Sequence, residues 1–265
     1  MLPVARQRRR AFTALAGFLV VVFGFVFFGL TSLAIGWFGD LEGVAGPVTE
    51  LGYGALVGLI LTGGVASQLR GPERKIAGLQ QALLVIPSMA AGSLLAWDYQ
   101  NLEALVILVP ALTLLWALHP ARAALLRPAI RMSPRLVAIA LLGAVPLIAY
   151  AVTMGAAAQD LAGPQHHVQR LSTMAALAVG IELTAMLAAL RTPGWRIPTW
   201  SATTALVVFG SASILFPEHP AAVGPAWGGL AIGGGLLFAA VAEWEARGSR
   251  AKRVSRVIMP FGPRV

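Results

Sequence analysis

Nineteen of the twenty Lys and Arg residues fall on one side of this chain when its apolar segments are threaded as eight consecutive membrane helices. Few folds produce that pattern. Basic residues close to the ends of membrane helices stay on the cytoplasmic side, so class, compartment and orientation follow together. A span needs about 20 mostly apolar residues, and eight segments qualify: 11–37, 51–69, 76–97, 101–118, 136–157, 168–190, 199–216 and 222–243. The expected fold is therefore an all-α, polytopic membrane helix bundle with eight transmembrane helices, forming one integral membrane domain over residues 1–265.

The short connections alternate in chemistry. Arg6, Arg8, Arg9 and Arg10 precede the first segment, and Arg70, Arg74 and Lys75 join the second to the third. Arg122, Arg127, Arg131 and Arg135 fill the central connection, Arg191 and Arg196 join the sixth to the seventh, and residues 246–265 form a basic tail. Arg170 alone lies opposite. That other side collects Asp40, Glu42, Glu50, Asp98, Glu103, Asp160, His166, His167, Glu218 and His219. Tryptophans gather near the predicted helix ends, where an amphipathic ring sits best at head-group level. The expected location is a bacterial plasma membrane with both termini cytoplasmic. The stretch from Ala11 to Trp37 is much longer than a signal h-region of about 7–15 residues, and is expected to be an uncleaved first span.

Composition supports this class. Charged residues make up 12% of the chain and apolar residues 57%, with a mean hydropathy of +0.76, whereas soluble domains carry about 25% charged residues. The net charge of +9 sits in clusters beside apolar runs, so anionic lipid head groups, not nucleic acid, are the expected partner. Protein partners cannot be named from the sequence. The chain has no cysteine, hence no disulfide and no thiolate chemistry.

Two hairpin octets recur in register: Leu69-Arg70-Gly71-Pro72-Glu73-Arg74-Lys75-Ile76 and Leu190-Arg191-Thr192-Pro193-Gly194-Trp195-Arg196-Ile197. Each follows the second helix of a four-helix half. Duplication would give two parallel halves, 1–120 and 121–265, related by an axis along the membrane normal. The plainer alternative is that any tight hairpin favours Arg, Pro and a restarting Ile. Residues 120–135 read as a basic connector between the halves, either a plain positively charged loop, the preferred reading, or a partly amphipathic segment whose Leu125, Leu126, Ala129, Ile130 and Met132 lie on the lipid surface.

Glu182 is the one ionisable residue well inside a predicted span. An intramembrane carboxylate costs about 2.5–3.5 kcal/mol at the helix centre, so it normally faces the bundle interior or a wet cavity. Arg170, twelve residues away, is about 18 Å along the helix and too far to pair with it. Tyr150 and Thr184 complete the candidate intramembrane polar site. A second candidate is an external rim of His166, His167, His219, Glu218 and Asp160, residue types that ligate zinc or copper but here in no known ligand spacing. Pro87, Pro110 and Pro146 mark possible helix kinks, and Gly54/Gly58, Gly224/Gly228 and Gly229/Gly233 mark close helix approaches, with the eighth helix expected deep in the bundle. His119 reads as an interfacial residue.

Nucleotide-binding loops, metalloprotease signatures and nucleophile elbows are missing from the sequence. No span carries a histidine for haem or a lysine for a retinal Schiff base, and no cofactor is expected. Enzyme chemistry is accordingly the least favoured reading. The leading expectation is a carrier or channel for a small solute, ion or lipid, and its rival is a non-transporting assembly or sensor protein that uses the external rim.

Overall fold

The computed structural model describes the backbone of residues 2–39, 46–161 and 165–258, and the side chains of 7–39, 46–99, 101–161 and 168–248. Asp40, Glu42, the side chains of His166 and His167, and the basic side chains of the tail beyond residue 248 lie outside that description. Among the described residues every regular element is helical. Eight helices are long and apolar enough to cross a membrane: Gln7–Phe38, Pro47–Leu69, Ile76–Ala96, Asn101–Leu118, Pro134–Gln159, Val168–Ala189, Arg196–Leu215 and Gly224–Gly248. These match the sequence-derived segments in order and number, and are called spans one to eight below.

Burial divides the spans into two groups. The most apolar windows of spans two and six are 83% and 78% buried, against 28% for span eight. The bundle is therefore built around spans two and six, and the expectation of a deeply buried eighth helix is overturned. The glycines explain why. A Cβ on Gly54 would lie 2.8 Å from Leu33, and one on Gly58 would collide with the Gly29 carbonyl, so span two needs both for its packing. A Cβ on Gly229 or Gly233 would meet nothing within 4 Å, so those two face outward. In span eight the close approaches fall at Gly228, 2.7 Å from the Gly210 carbonyl by the same measure, and at Gly235, 3.1 Å from Leu206.

Span one is not continuous. Its first helix, Leu2–Val21, passes into a π-turn at Val22–Val26, and a second helix, Gly29–Phe38, starts after Phe28 in the left-handed region at φ 57°. Span two is π-helical over Ala55–Thr62, and the Thr62 hydroxyl donates to the Val57 carbonyl at 2.6 Å. Both irregularities lie where Gly29 meets Gly58 backbone to backbone. The Tyr53 hydroxyl donates to the Phe27 carbonyl at 2.7 Å, satisfying a group freed by the break. The helices containing Pro87, Pro110 and Pro146 run through those residues unbroken.

The two inner spans of each half pack against those of the other. Span three packs on span six and span seven on span two, while span one meets span four and span five meets span eight. The two hairpins touch: the Ala77 amide donates to the Pro193 carbonyl at 2.9 Å. Gln80 and Gln81 belong to this junction and not to a cavity. Gln80 donates to the Leu125 carbonyl at 3.1 Å, and Gln81 to the Ile60 carbonyl at 2.6 Å.

Candidate functional site

Glu182 lies on the wall of a cavity of about 510 Å³ bounded by spans five, six, seven and eight. That volume falls within the range of small-molecule pockets. The local helix explains the placement. Successive residues turn by about 100°, so Ile181, Glu182 and Ala185 face the cavity while Gly180 turns toward Leu56 and Ser88 of spans two and three. Thr184 follows Gly180. It is fully buried away from the cavity, and its hydroxyl has no hydrogen-bond partner. Of the intramembrane triad expected from sequence, the structure brings Glu182 and Tyr150 together and leaves Thr184 out.

Most of the wall is apolar, and its hydroxyls are already engaged. Tyr150 donates to the Ala221 carbonyl at 2.7 Å, Thr153 to the Ala149 carbonyl at 2.9 Å, and Thr203 to the Gly235 carbonyl at 3.0 Å. Tyr150 also packs edge-on against Phe209, with ring centroids 5.1 Å apart, which closes the end of the cavity nearest the turn after span seven. The opposite end is floored by a separate apolar cluster that includes Leu136, Ala140, Ala202, Phe238 and Ala242. Among the described residues, Glu182 is the one carboxyl on this wall, which carries no basic side chain, and no hydrogen bond or ion pair engages it.

The cavity opens sideways between spans five and eight. Trp227 and Leu230, both on its wall, are 57% and 64% exposed on the outer surface of the bundle. A Cβ on Gly143 or Gly234, which also line it, would meet nothing within 4 Å. These small residues leave open the gap that the flanking spans do not fill.

Several polar residues elsewhere hold the helices together. Arg170, isolated in the sequence reading, forms an ion pair with Glu50 of span two. Beside it, Ser172 donates to Asp98 at 2.6 Å and Asn101 donates to Ser172 at 2.5 Å, a buried cluster tying the turn between spans three and four to span six. Spacing alone gave no sign of either arrangement. His119 is fully buried, not interfacial: its Nδ1 accepts from the Ala121 amide at 3.1 Å, its Nε2 lies 3.3 Å from Gln68 Oε1, and its ring meets Phe12 edge-on. Burial lowers its pKa from the ordinary value of 6.5. A signal existed in the sequence, because a His-Pro-Ala run lets the ring accept the amide two residues on; His219 repeats the contact to Ala221 at 3.0 Å.

The external rim is less coherent. Asp160 caps the helix of span five and is exposed, and Glu218 and His219 lie in the turn after span seven. His166 and His167 fall in the first turn of the helix Gln165–Ala189, with side chains outside the described set. Among the described residues, no three metal-ligating side chains converge.

No known protein matches. Comparison with protein families, curated proteins and solved structures found nothing similar to this chain.

Proposed function

We propose that this protein is a membrane carrier for a small, mostly apolar molecule bearing one cationic or hydrogen-bond-donating group, with Glu182 as its polar anchor. One observation carries the reading: a lone carboxyl without a protein partner lines an otherwise apolar cavity that opens on the bundle's outer surface. A buried polar group without a partner is costly, and a ligand that supplies a donor removes that cost. A ligand without a donor leaves the carboxyl unmatched and is disfavoured. Entry between spans five and eight suits a molecule that partitions into lipid first.

The basic clusters orient the reading. With Arg70, Arg74, Lys75, the connector 120–135 and Arg191 and Arg196 on one face, that face is the cytoplasmic side of a plasma membrane by the positive-inside rule. Both termini then lie in the cytoplasm. The rival reading, a non-transporting assembly or sensor protein, predicts binding without flux.

The test is flux of a lipophilic fluorescent amine across liposomes containing the purified protein. The carrier reading predicts saturable flux that is lost in Glu182→Gln while the variant's thermal stability is retained. Flux indistinguishable between Glu182→Gln and the parent would overturn it, and saturable binding without flux would favour the rival.

A further inference from the structure

A second cavity, of about 680 Å³, lies at the basic end of the bundle between the central connector, the hairpin joining spans six and seven, and the distal part of span eight. It is separated from the Glu182 cavity by the apolar floor described above. Backbone bonds fix its walls: the Arg131 amide donates to the Leu190 carbonyl at 3.0 Å and the Ser133 amide to the Ala189 carbonyl at 2.9 Å. That lacing sets Arg131 of the connector beside Arg191 and Arg196 of the hairpin.

The nearby carboxylates do not use up this charge. Glu243 takes a bidentate fork from Arg196, both distances 2.6 Å. Glu245 is met by Arg191 at 2.9 Å, by Arg135 at 3.5 Å and by the Ser133 hydroxyl at 2.8 Å. Four arginines thus face two carboxylates. What remains is the whole guanidinium of Arg131, which no side chain engages, and the Nε of Arg191, buried with no acceptor. A buried guanidinium N–H without an acceptor is rare. Trp195 stacks under both Arg191 and Arg196, with their guanidinium carbons 4.7 Å and 5.2 Å from its ring centroid, which holds the two forks in place. Arg191 itself is left-handed at φ 50°, an unusual conformation for a residue with a side chain.

We infer that this cavity binds a phosphate group, held by the guanidinium of Arg131 and by Arg191 Nε, with the Glu243-paired Arg196 on the same wall. Guanidinium forks match phosphate oxygens in geometry and charge. The connector also presents exposed Leu126, Ile130 and Met132 next to these arginines, which places the site at the level where lipid head groups meet acyl chains. An acidic phospholipid is the source this arrangement fits, and a soluble phosphate ester shares the chemistry. The site is independent of the carrier reading, since none of these residues lines the Glu182 cavity.

The experiment is native mass spectrometry of the delipidated full-length protein, titrated with phosphatidic acid, phosphatidylcholine or glycerol phosphate. Preferential binding of phosphatidic acid, weakened about tenfold in Arg131→Gln, is the expected result, since a hydrogen bond to a charged group is of that order. Arg131 is exposed and unpaired, so this variant keeps the fold. Glycerol phosphate binding with the same Arg131 dependence would support the site with a soluble ligand. Arg122→Gln, an exposed arginine off the cavity, should change nothing. No preference over phosphatidylcholine, or equal loss in both variants, would overturn the inference.

Discussion

Arg170 of span six and Glu50 of span two form an ion pair near the starts of both helices, joining the two most buried spans of the bundle. Glu50 is only 8% exposed, so removing its partner leaves a poorly hydrated carboxylate. Arg170→Gln should therefore lower stability by about 1–3 kcal/mol, below the value for a fully buried pair because the arginine is partly exposed. The double variant Glu50→Gln/Arg170→Gln should recover most of the loss. Thermal unfolding in detergent measures both, and a silent Arg170→Gln would show that the pair contributes nothing.

Glycines separate packing positions from cavity positions. A Cβ on Gly92 would strike the Ser172 carbonyl and lie 2.8 Å from Ala176, so Gly92→Ala should destabilise by about 1–3 kcal/mol through overpacking of spans three and six. Gly234→Ala enters open space and should be neutral or slightly stabilising, since alanine favours helix. Gly234→Leu should keep stability yet occlude the Glu182 cavity and abolish ligand binding. Circular-dichroism melts and a ligand titration on the three variants check the set.

His119 gives the fold a pH dependence with a defined sign. Its folded pKa is lowered from 6.5, chiefly by burial, so the unfolded chain takes up a proton more readily than the folded one. Stability is full above about pH 6.5 and falls as the pH drops below that value. His119→Asn keeps an acceptor for the Ala121 amide and removes the titration. Its melting temperature should vary less between pH 7 and pH 5 than that of the parent. An identical pH profile in the two proteins would contradict the assignment.

Spans two, three, six and seven contact one another across the two four-helix halves, and their hairpins pair. Residues 1–120 and 121–265 expressed as separate chains should then assemble into a complex that co-purifies. Failure of the halves to associate when both insert would weigh against two self-contained units.

Span number and order were legible in the sequence because each depends on about 20 local residues and on the charges beside them. The Leu-Arg-x-Pro octets suggested duplication, and nothing in their sequence showed that the two hairpins would touch. What was not legible depends on neighbours. Prolines 87, 110 and 146 attracted attention as break sites, yet the break falls at Phe27–Phe28, where Gly29 must reach Gly58. The glycines of spans two and eight have the same spacing, and only the three-dimensional packing shows that Gly58 is pressed on a backbone while Gly229 and Gly233 face outward. Glu182 was identifiable as a costly residue; that it lacks a partner, and that Tyr150 shares its cavity while Thr184 does not, required the packing of four spans.

Glu182 as an unpartnered carboxyl, reachable from lipid, is the central claim, and carbodiimide labelling tests it most directly. The protein in liposomes is treated with the apolar reagent dicyclohexylcarbodiimide, and the modified carboxyls are mapped by peptide mass spectrometry. The account predicts modification at Glu182 in preference to Glu50 and Asp98, which are engaged by Arg170 and Ser172, and protection by a lipophilic amine. Absence of label at Glu182, or label that the amine does not reduce, would contradict it.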